Sequence, residues 1–252
     1  MGAPRTVAIV GFNAAGKTRV VEALIAELTR RGYSVGTLKH TSEDQPLDKP
    51  GTDTWRHAEA GAISSAILSD NRTAIFLRHV MSIQRAADIL GDIDFIIMEG
   101  FKAIDTVPRI MVPRGRKEIY TLTIGLEIAA VDVEGKMGDI GSVPMIKLNE
   151  VSRLADIVEQ RAYPLLAGLN CKACGFPTCR EMGKAILSGQ GEANSCVKYS
   201  SDVLLRVNGS VVPLNKFVQS TFANVVLGLL KTLKGSEKPF RVELEFGVRE
   251  DA

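Results

Sequence analysis

The residues best placed to do chemistry stand near the start of the chain. Val7 to Val10 is an apolar run that enters Gly11-Phe12-Asn13-Ala14-Ala15-Gly16-Lys17-Thr18, a complete G-x-x-x-x-G-K-T loop. Glycines at both ends let the backbone curl until successive N–H groups converge on an anion, and a following helix turns its N-terminus to the same place. Gly11, Asn13, Ala14, Ala15 and Gly16 thus supply backbone to a triphosphate, Lys17 reaches its β and γ phosphates, and the Thr18 hydroxyl is the expected Mg²⁺ ligand. The segment after the loop has the required character. Val20, Val21, Leu24, Ile25 and Leu28 form an apolar stripe at helical spacing over Arg19 to Arg31, and Gly32 stops it.

A second cluster lies far downstream, where all four cysteines of the chain fall in one window: Cys171, Cys174, Cys179 and Cys196. A disulfide framework does not suit them, because nothing in the N-terminal sequence reads as a secretory signal and a P-loop implies a reducing setting. Structural zinc prefers paired short knuckles or a histidine pair, and here one C-x₂-C is followed by wider spacings with no histidine nearby. Four thiolates from a compact loop and a short helix suit a [4Fe–4S] cluster, with zinc as the alternative.

Other carboxylates invite roles around the nucleotide. Glu99 ends the apolar run Phe95 to Met98, where an acid beside the P-loop holds the Mg²⁺ water shell or orients an attacking water. The loop from Lys39 to His57 is too long and polar for a bare connector, which makes it a candidate switch or lid and Asp48 a candidate base. His40, His57 and His79 share no metal-binding spacing.

Strands and helices that would position these groups alternate through the first two thirds of the chain, the pattern of a mostly parallel α/β sheet flanked by helices, here a P-loop NTPase fold. The pattern predicts strands at Ser34 to Lys39, Ile63 to Leu68, Thr73 to Leu77, Phe95 to Met98, Arg109 to Val112, Ile119 to Ile124, Ala129 to Val131 and Val143 to Ile146. It predicts helices at Ile83 to Leu90 and from Val151 to Leu166, the latter capped by Asn149. Pro164 and Gly168 mark a boundary, giving a nucleotide-binding domain over 1–167, a cysteine module over 168–200 and a small ββαβ unit over 201–252. That last unit is read as a hairpin about Asn208-Gly209, a helix over Lys216 to Leu233 and a strand over Arg241 to Phe246.

Composition limits the partners. Lys and Arg number 31 against 29 Asp and Glu, so no basic field points to nucleic acid or an anionic membrane. The most apolar stretch, Phe217 to Leu233, is interrupted by Gln219, Asn224 and Lys231 and reads as a core helix rather than a membrane span. The expected location is cytoplasmic.

Several motifs together carry a resemblance: Gly11 to Thr18, Leu38-Lys39-His40, Leu47 to Thr54, Ala60-Gly61-Ala62 and Asp94 to Lys102, in that order. Over roughly residues 5 to 165 the chain resembles the molybdopterin-guanine dinucleotide biosynthesis protein B family. The resemblance implies a GTP-binding P-loop protein, usually dimeric, that assists a nucleotidyltransferase in converting molybdenum (or tungsten) cofactor to its guanine dinucleotide form; slow GTP hydrolysis is expected because no arginine finger can be assigned. The histidine-rich stretch common after the Lys-His pair is here Thr41-Ser42-Glu43-Asp44-Gln45, so roles of those histidines do not transfer. Residues 171 to 196 separately resemble a small four-cysteine iron–sulfur module. Two other readings stay open: a P-loop kinase of a small molecule with Asp48 or Glu99 as base, and a redox-linked NTPase of metal-centre assembly. The sequence shows no guanine-reading motif and no assignable arginine finger.

Overall fold

The computed structural model describes residues 3–41, 47–138, 141, 143–200, 203, 205–207, 210–212, 214, 216–234, 242 and 244. The first strand, β1 (Arg5–Val10), alternates its side chains across a sheet that is covered on both faces. Val7 and Ile9 pack to one side and Ala8 and Val10 to the other. A run of that kind is apolar throughout because both faces are buried.

The chain continues through α1 (Lys17–Arg30), β2 (Val35–Lys39), α2 (Asp53–Glu59), β3 (Ser64–Leu68), β4 (Thr73–Leu77), α3 (Ile83–Ile89) and β5 (Phe95–Glu99). It then runs through β6 (Arg109–Met111), α4 (Arg116–Leu122), β7 (Glu127–Asp132), β8 (Met145–Lys147), α5 (Val151–Arg161) and β9 (Tyr163–Pro164). The main sheet has the order β2-β5-β1-β6-β7-β8, all parallel, with β9 antiparallel to the start of β1. Helices α1 and α5 cover one face through Val20, Leu24, Leu28, Leu154 and Val158. On the other face, α3 and α4 contribute Ala87, Ile119 and Leu122. The expected α/β class and P-loop architecture are what the chain adopts.

Three local expectations are corrected. Residues 119–124, read as a strand for their β-branched content, lie mostly in α4: Ile119 and Leu122 are buried at helical spacing while Tyr120 is 85% exposed, so burial on one side overrides propensity. The helix expected to reach Leu166 ends at Arg161, because Tyr163 and Pro164 pair with Thr6 and Arg5. Asn149 does not cap it; the residue preceding it is Glu150, whose carboxylate turns back to accept from the Lys147 backbone N–H at 2.9 Å. Strands β3 and β4 stand apart from the main sheet as a separate hairpin.

Beyond β9 come α6 (Cys179–Leu187), α7 (Val197–Ser200), an antiparallel pair β10 (Leu205–Val207) and β11 (Ser210–Val212), and α8 (Lys216–Leu230). The expected turn at Asn208-Gly209 and nearly all of the expected strand from Arg241 to Phe246 lie outside the described residues. Among the described residues no helix is long and apolar enough to cross a membrane.

Candidate functional site

The loop between β1 and α1 is shaped by two left-handed residues, Ala14 at φ 57° and Gly16 at φ 84°, so neighbouring N–H groups turn toward one concavity. Gly11 is dictated by contact: a Cβ there would stand 2.5 Å from the Val112 carbonyl oxygen. Lys17 is curled over the loop, its Nζ donating to the Phe12 carbonyl at 2.8 Å. Burial holds the Lys17 ammonium below its usual pKa; Glu99 opposes that, and Lys102, Lys39 and Arg114 add to it. Those cations lie close enough to Lys17 to act on it electrostatically.

Parallel pairing of β5 with both β1 and β2 sets Glu99 opposite Ile9 and Lys39. There the buried Glu99 carboxylate accepts from Thr18 Oγ1 at 2.9 Å and lies 3.4 Å from Lys39 Nζ. A hydroxyl and a carboxylate oxygen in contact at the head of α1 are the hard oxygen donors that suit Mg²⁺. Gly100 follows at φ 99°, and a Cβ there would meet the His40 carbonyl 2.7 Å away. Asp48 is not brought to this group. Its contact is with Thr52, whose hydroxyl donates to it at 3.1 Å and whose side chain caps α2.

Beside the loop runs a groove of about 480 Å³ lined by Arg19, Asp132 to Gly135 and Lys147 to Asn149, at the carboxyl ends of β7 and β8. Asp132 builds its wall by accepting N–H bonds from Glu134, Gly135 and Met137. Val133 touches the phosphate loop, since a Cβ on Gly16 would come within 3.0 Å of it. Such crevices outside the carboxyl ends of parallel strands are where open α/β sheets bind ligands.

Sequence reasoning missed Lys102 and Arg114. The Lys102 ammonium lies 4.6 Å from the centre of the Phe12 ring, and Arg114 Nη1 donates to the Asn13 carbonyl at 3.4 Å. The only available signal for Arg114 was its place just beyond a strand neighbouring β1.

The cysteines share one apolar cluster. Cys179 and Cys196 are buried, Cys171 and Cys174 partly so, among Tyr163, Leu166, Ala167, Met182, Val197 and Phe176. Left-handed backbone at Asn170, Lys172 and Gly175 coils the loop, and Asn170 Oδ1 accepts the Cys179 N–H at 2.8 Å, seating that residue at the start of α6. The Ala167 N–H points at Cys196 Sγ, 3.4 Å away. Burial raises the Cys196 pKa, with Cys179 and Cys174 near enough to add to the effect. All four thiols are unbridged, and among the described residues no three potential ligands are spaced to hold a metal ion as they stand. Four cysteines in an apolar shell, one of them receiving a backbone N–H, form a donor set that fits an iron–sulfur cluster.

The module is docked, not tethered. The Tyr199 hydroxyl donates to the Leu165 carbonyl at 2.6 Å, the Ala167 N–H to Cys196 Sγ, and Lys198 Nζ lies 3.8 Å from the Asp88 carboxylate.

The family model "Molybdopterin guanine dinucleotide synthesis protein B" matches residues 6–132, and the model "Putative Fe-S cluster" matches residues 166–198. A Methanocaldococcus jannaschii protein named "Putative molybdopterin-guanine dinucleotide biosynthesis adapter protein" is 26% identical over 97% of this chain and 98% of its own. The molybdopterin-guanine dinucleotide biosynthesis adapter protein of Escherichia coli is 29% identical, over 60% of this chain and 90% of its own. The crystal structure of Bacillus subtilis MobB shares the fold at a TM-score of 0.55 and 22% identity, covering 63% of this chain and 98% of that one.

Proposed function

The chain belongs to the molybdopterin guanine dinucleotide synthesis protein B family, and from that premise we propose that it is a GTP-binding adapter of molybdenum or tungsten cofactor maturation. In this reading it works in the cytoplasm with a nucleotidyltransferase that converts molybdopterin cofactor to its guanine dinucleotide form. The observation that carries the reading is the contact of Thr18 with Glu99 at the head of α1, beside Lys17. Gly11 to Gly16 supply backbone N–H groups to the phosphates, Lys17 neutralises the β and γ phosphates, and Thr18 with Glu99 holds Mg²⁺ and its water shell. The groove over β7 and β8 seats the nucleoside. Hydrolysis is slow and serves as a timer rather than as the product-forming step.

Cys171, Cys174, Cys179 and Cys196 would hold a [4Fe–4S] cluster, whose chemistry is one-electron transfer. What the chain contributes there is a dry pocket and the Ala167 N–H on Cys196. Lys198 of this module lies 3.8 Å from Asp88 of α3, the helix that leads into β5 and Glu99, and that contact favours a second reading in which nucleotide and cluster states are linked.

A homodimer completes the proposal. Hairpin β3–β4 leaves Leu68 and Ile75, diagonal neighbours on one of its faces, 78% and 55% exposed. Exposed apolar strands of this kind mark an interface.

The decisive experiment is reconstitution with the nucleotidyltransferase, molybdenum cofactor, Mg²⁺ and nucleotide. Adding the protein should raise the yield of guanine dinucleotide cofactor, and GTP should bind at least about tenfold better than ATP, roughly 1.4 kcal/mol. No gain in yield under any nucleotide condition overturns the adapter reading, and equal affinities shift weight to a metal-assembly ATPase.

A further inference from the structure

We propose that Arg114 contacts the terminal phosphate of the bound nucleotide from within the same chain and neutralises the charge that builds there during hydrolysis. This rests on the reading of Gly11 to Thr18 as a nucleotide site.

The argument starts from where Arg114 is held. Strand β6 lies directly beside β1, and just past its end the Val112 N–H donates to the Val10 carbonyl at 2.8 Å. The Val112 carbonyl in turn crowds the place a Gly11 side chain would need. The backbone leading to Arg114 is therefore clamped to the first glycine of the phosphate loop. Glu118, one turn on in α4, then fixes the side chain. Its Oε1 accepts from Arg114 Nε at 2.7 Å and lies 2.6 Å from Nη2, while its Oε2 accepts the Arg114 backbone N–H at 2.9 Å.

Held this way, the guanidinium lies 5.8 Å from the centre of the Phe12 ring, and its Nη1 reaches the Asn13 carbonyl. Lys17 Nζ is bonded to the Phe12 carbonyl, the preceding one. The two cations thus sit on consecutive carbonyls of one loop whose N–H groups are turned toward the phosphates. A guanidinium has five N–H donors in a fixed fork, so the bonds to Glu118 and Asn13 leave others for a phosphate oxygen. The side chain is 54% exposed and has space in which to meet one.

The chemistry that needs this group is defined. In hydrolysis the oxygen of water bonds to the γ phosphorus, and the bond from that phosphorus to the β–γ bridging oxygen breaks. GDP leaves with the electron pair, and the proton of water passes to the phosphate. Negative charge on the transferring group and on the bridging oxygen is best met by an arginine, and such a residue is worth several orders of magnitude in rate where it is present. Partial engagement by Glu118 is consistent with a slow but built-in activity.

The test uses the full-length protein with Mg²⁺. Arg114→Ala and Arg114→Lys are compared with the wild type for GTP affinity, single-turnover GTP hydrolysis and affinity for GDP with aluminium fluoride, a mimic of the transferring phosphoryl group. Both variants should hydrolyse GTP at least about 30-fold more slowly and lose a similar factor in affinity for the mimic, with GTP affinity changed less than about threefold. If GTP, GDP and the mimic all weaken alike, Arg114 is only a brace for the loop and the proposal fails. Unchanged hydrolysis, or a wild type that does not bind the mimic, overturns it as well. A wild type that binds ATP in place of GTP would instead refute the GTP reading, and the same comparison with ATP and ADP with aluminium fluoride would still decide the role of Arg114.

Discussion

Glu27 faces α5 from α1, and its carboxylate accepts from Arg30, Arg31 and the Ser152 hydroxyl at 2.8 to 2.9 Å. Arg31 continues the clasp to Asp156 and Glu159. These donors depress the Glu27 pKa from 4.5 to about 2. A carboxyl depressed on folding stabilises in full above its ordinary value, and that contribution is lost as pH falls from 4.5 through 2. Replacing Glu27 with Gln should therefore lower stability to urea at about pH 6, and the gap to wild type should close as pH is taken down to about 2. A gap that stays constant over that range would mean that Glu27 acts through packing alone. At this scale the sequence spoke clearly where a residue type has one use. Gly11 was legible because its close approach to the Val112 carbonyl leaves no room for a Cβ, and Lys17 and Thr18 because they complete the G-x-x-x-x-G-K-T pattern at the end of an apolar strand. Asp48 was not, since a carboxylate that braces a helix cap and one that abstracts a proton look the same in sequence.

Secondary elements were legible where burial has one periodicity. Strands β1 and β5 are apolar on both faces, and α1 shows a plain helical stripe. Helix α4 was misread because Ile119-Tyr120-Thr121-Leu122-Thr123-Ile124 suits either state, and only its packing under β6 decides. Strand β9 is two residues long, too short to leave a pattern. The hairpin β3–β4 was visible as strands, but its separation from the sheet depends on which edges are free, and sequence does not state that. If this hairpin joins two copies of the chain, Leu68→Lys with Ile75→Lys should weaken self-association at least about tenfold, about 1.4 kcal/mol, in sedimentation equilibrium. GTP affinity should stay as in wild type, because the hairpin contributes nothing to the loop at Lys17. A variant as tightly associated as the wild type would place the interface elsewhere.

The whole molecule joins the P-loop sheet to the cysteine-bearing segment through Ala167 on Cys196, Leu165 on Tyr199 and Asp88 beside Lys198. Cys196→Ser removes one of four thiolates and the buried sulfur that receives the Ala167 N–H. After anaerobic preparation that variant should retain little iron and unfold at lower temperature than wild type. GTP affinity should change less than about threefold, under about 1 kcal/mol, because Lys17, Thr18 and Glu99 are held by β1, β5 and α1. Zinc in stoichiometric amount with no iron in the wild type would replace the cluster assignment, and a large loss of GTP binding would promote the linked reading. The central place of β1 has one more consequence, which concerns synthesis. Strand β1 is paired on both sides by strands made much later, Phe95–Glu99 and Arg109–Met111. At the usual pace of translation it waits on the order of ten seconds for them. Through that interval Val7 to Val10 is an unpaired apolar segment, and Thr18 has no Glu99 to meet. The Thr18–Glu99 contact therefore forms only after residue 99 has been made, and β1 gains both of its neighbours only after residue 111.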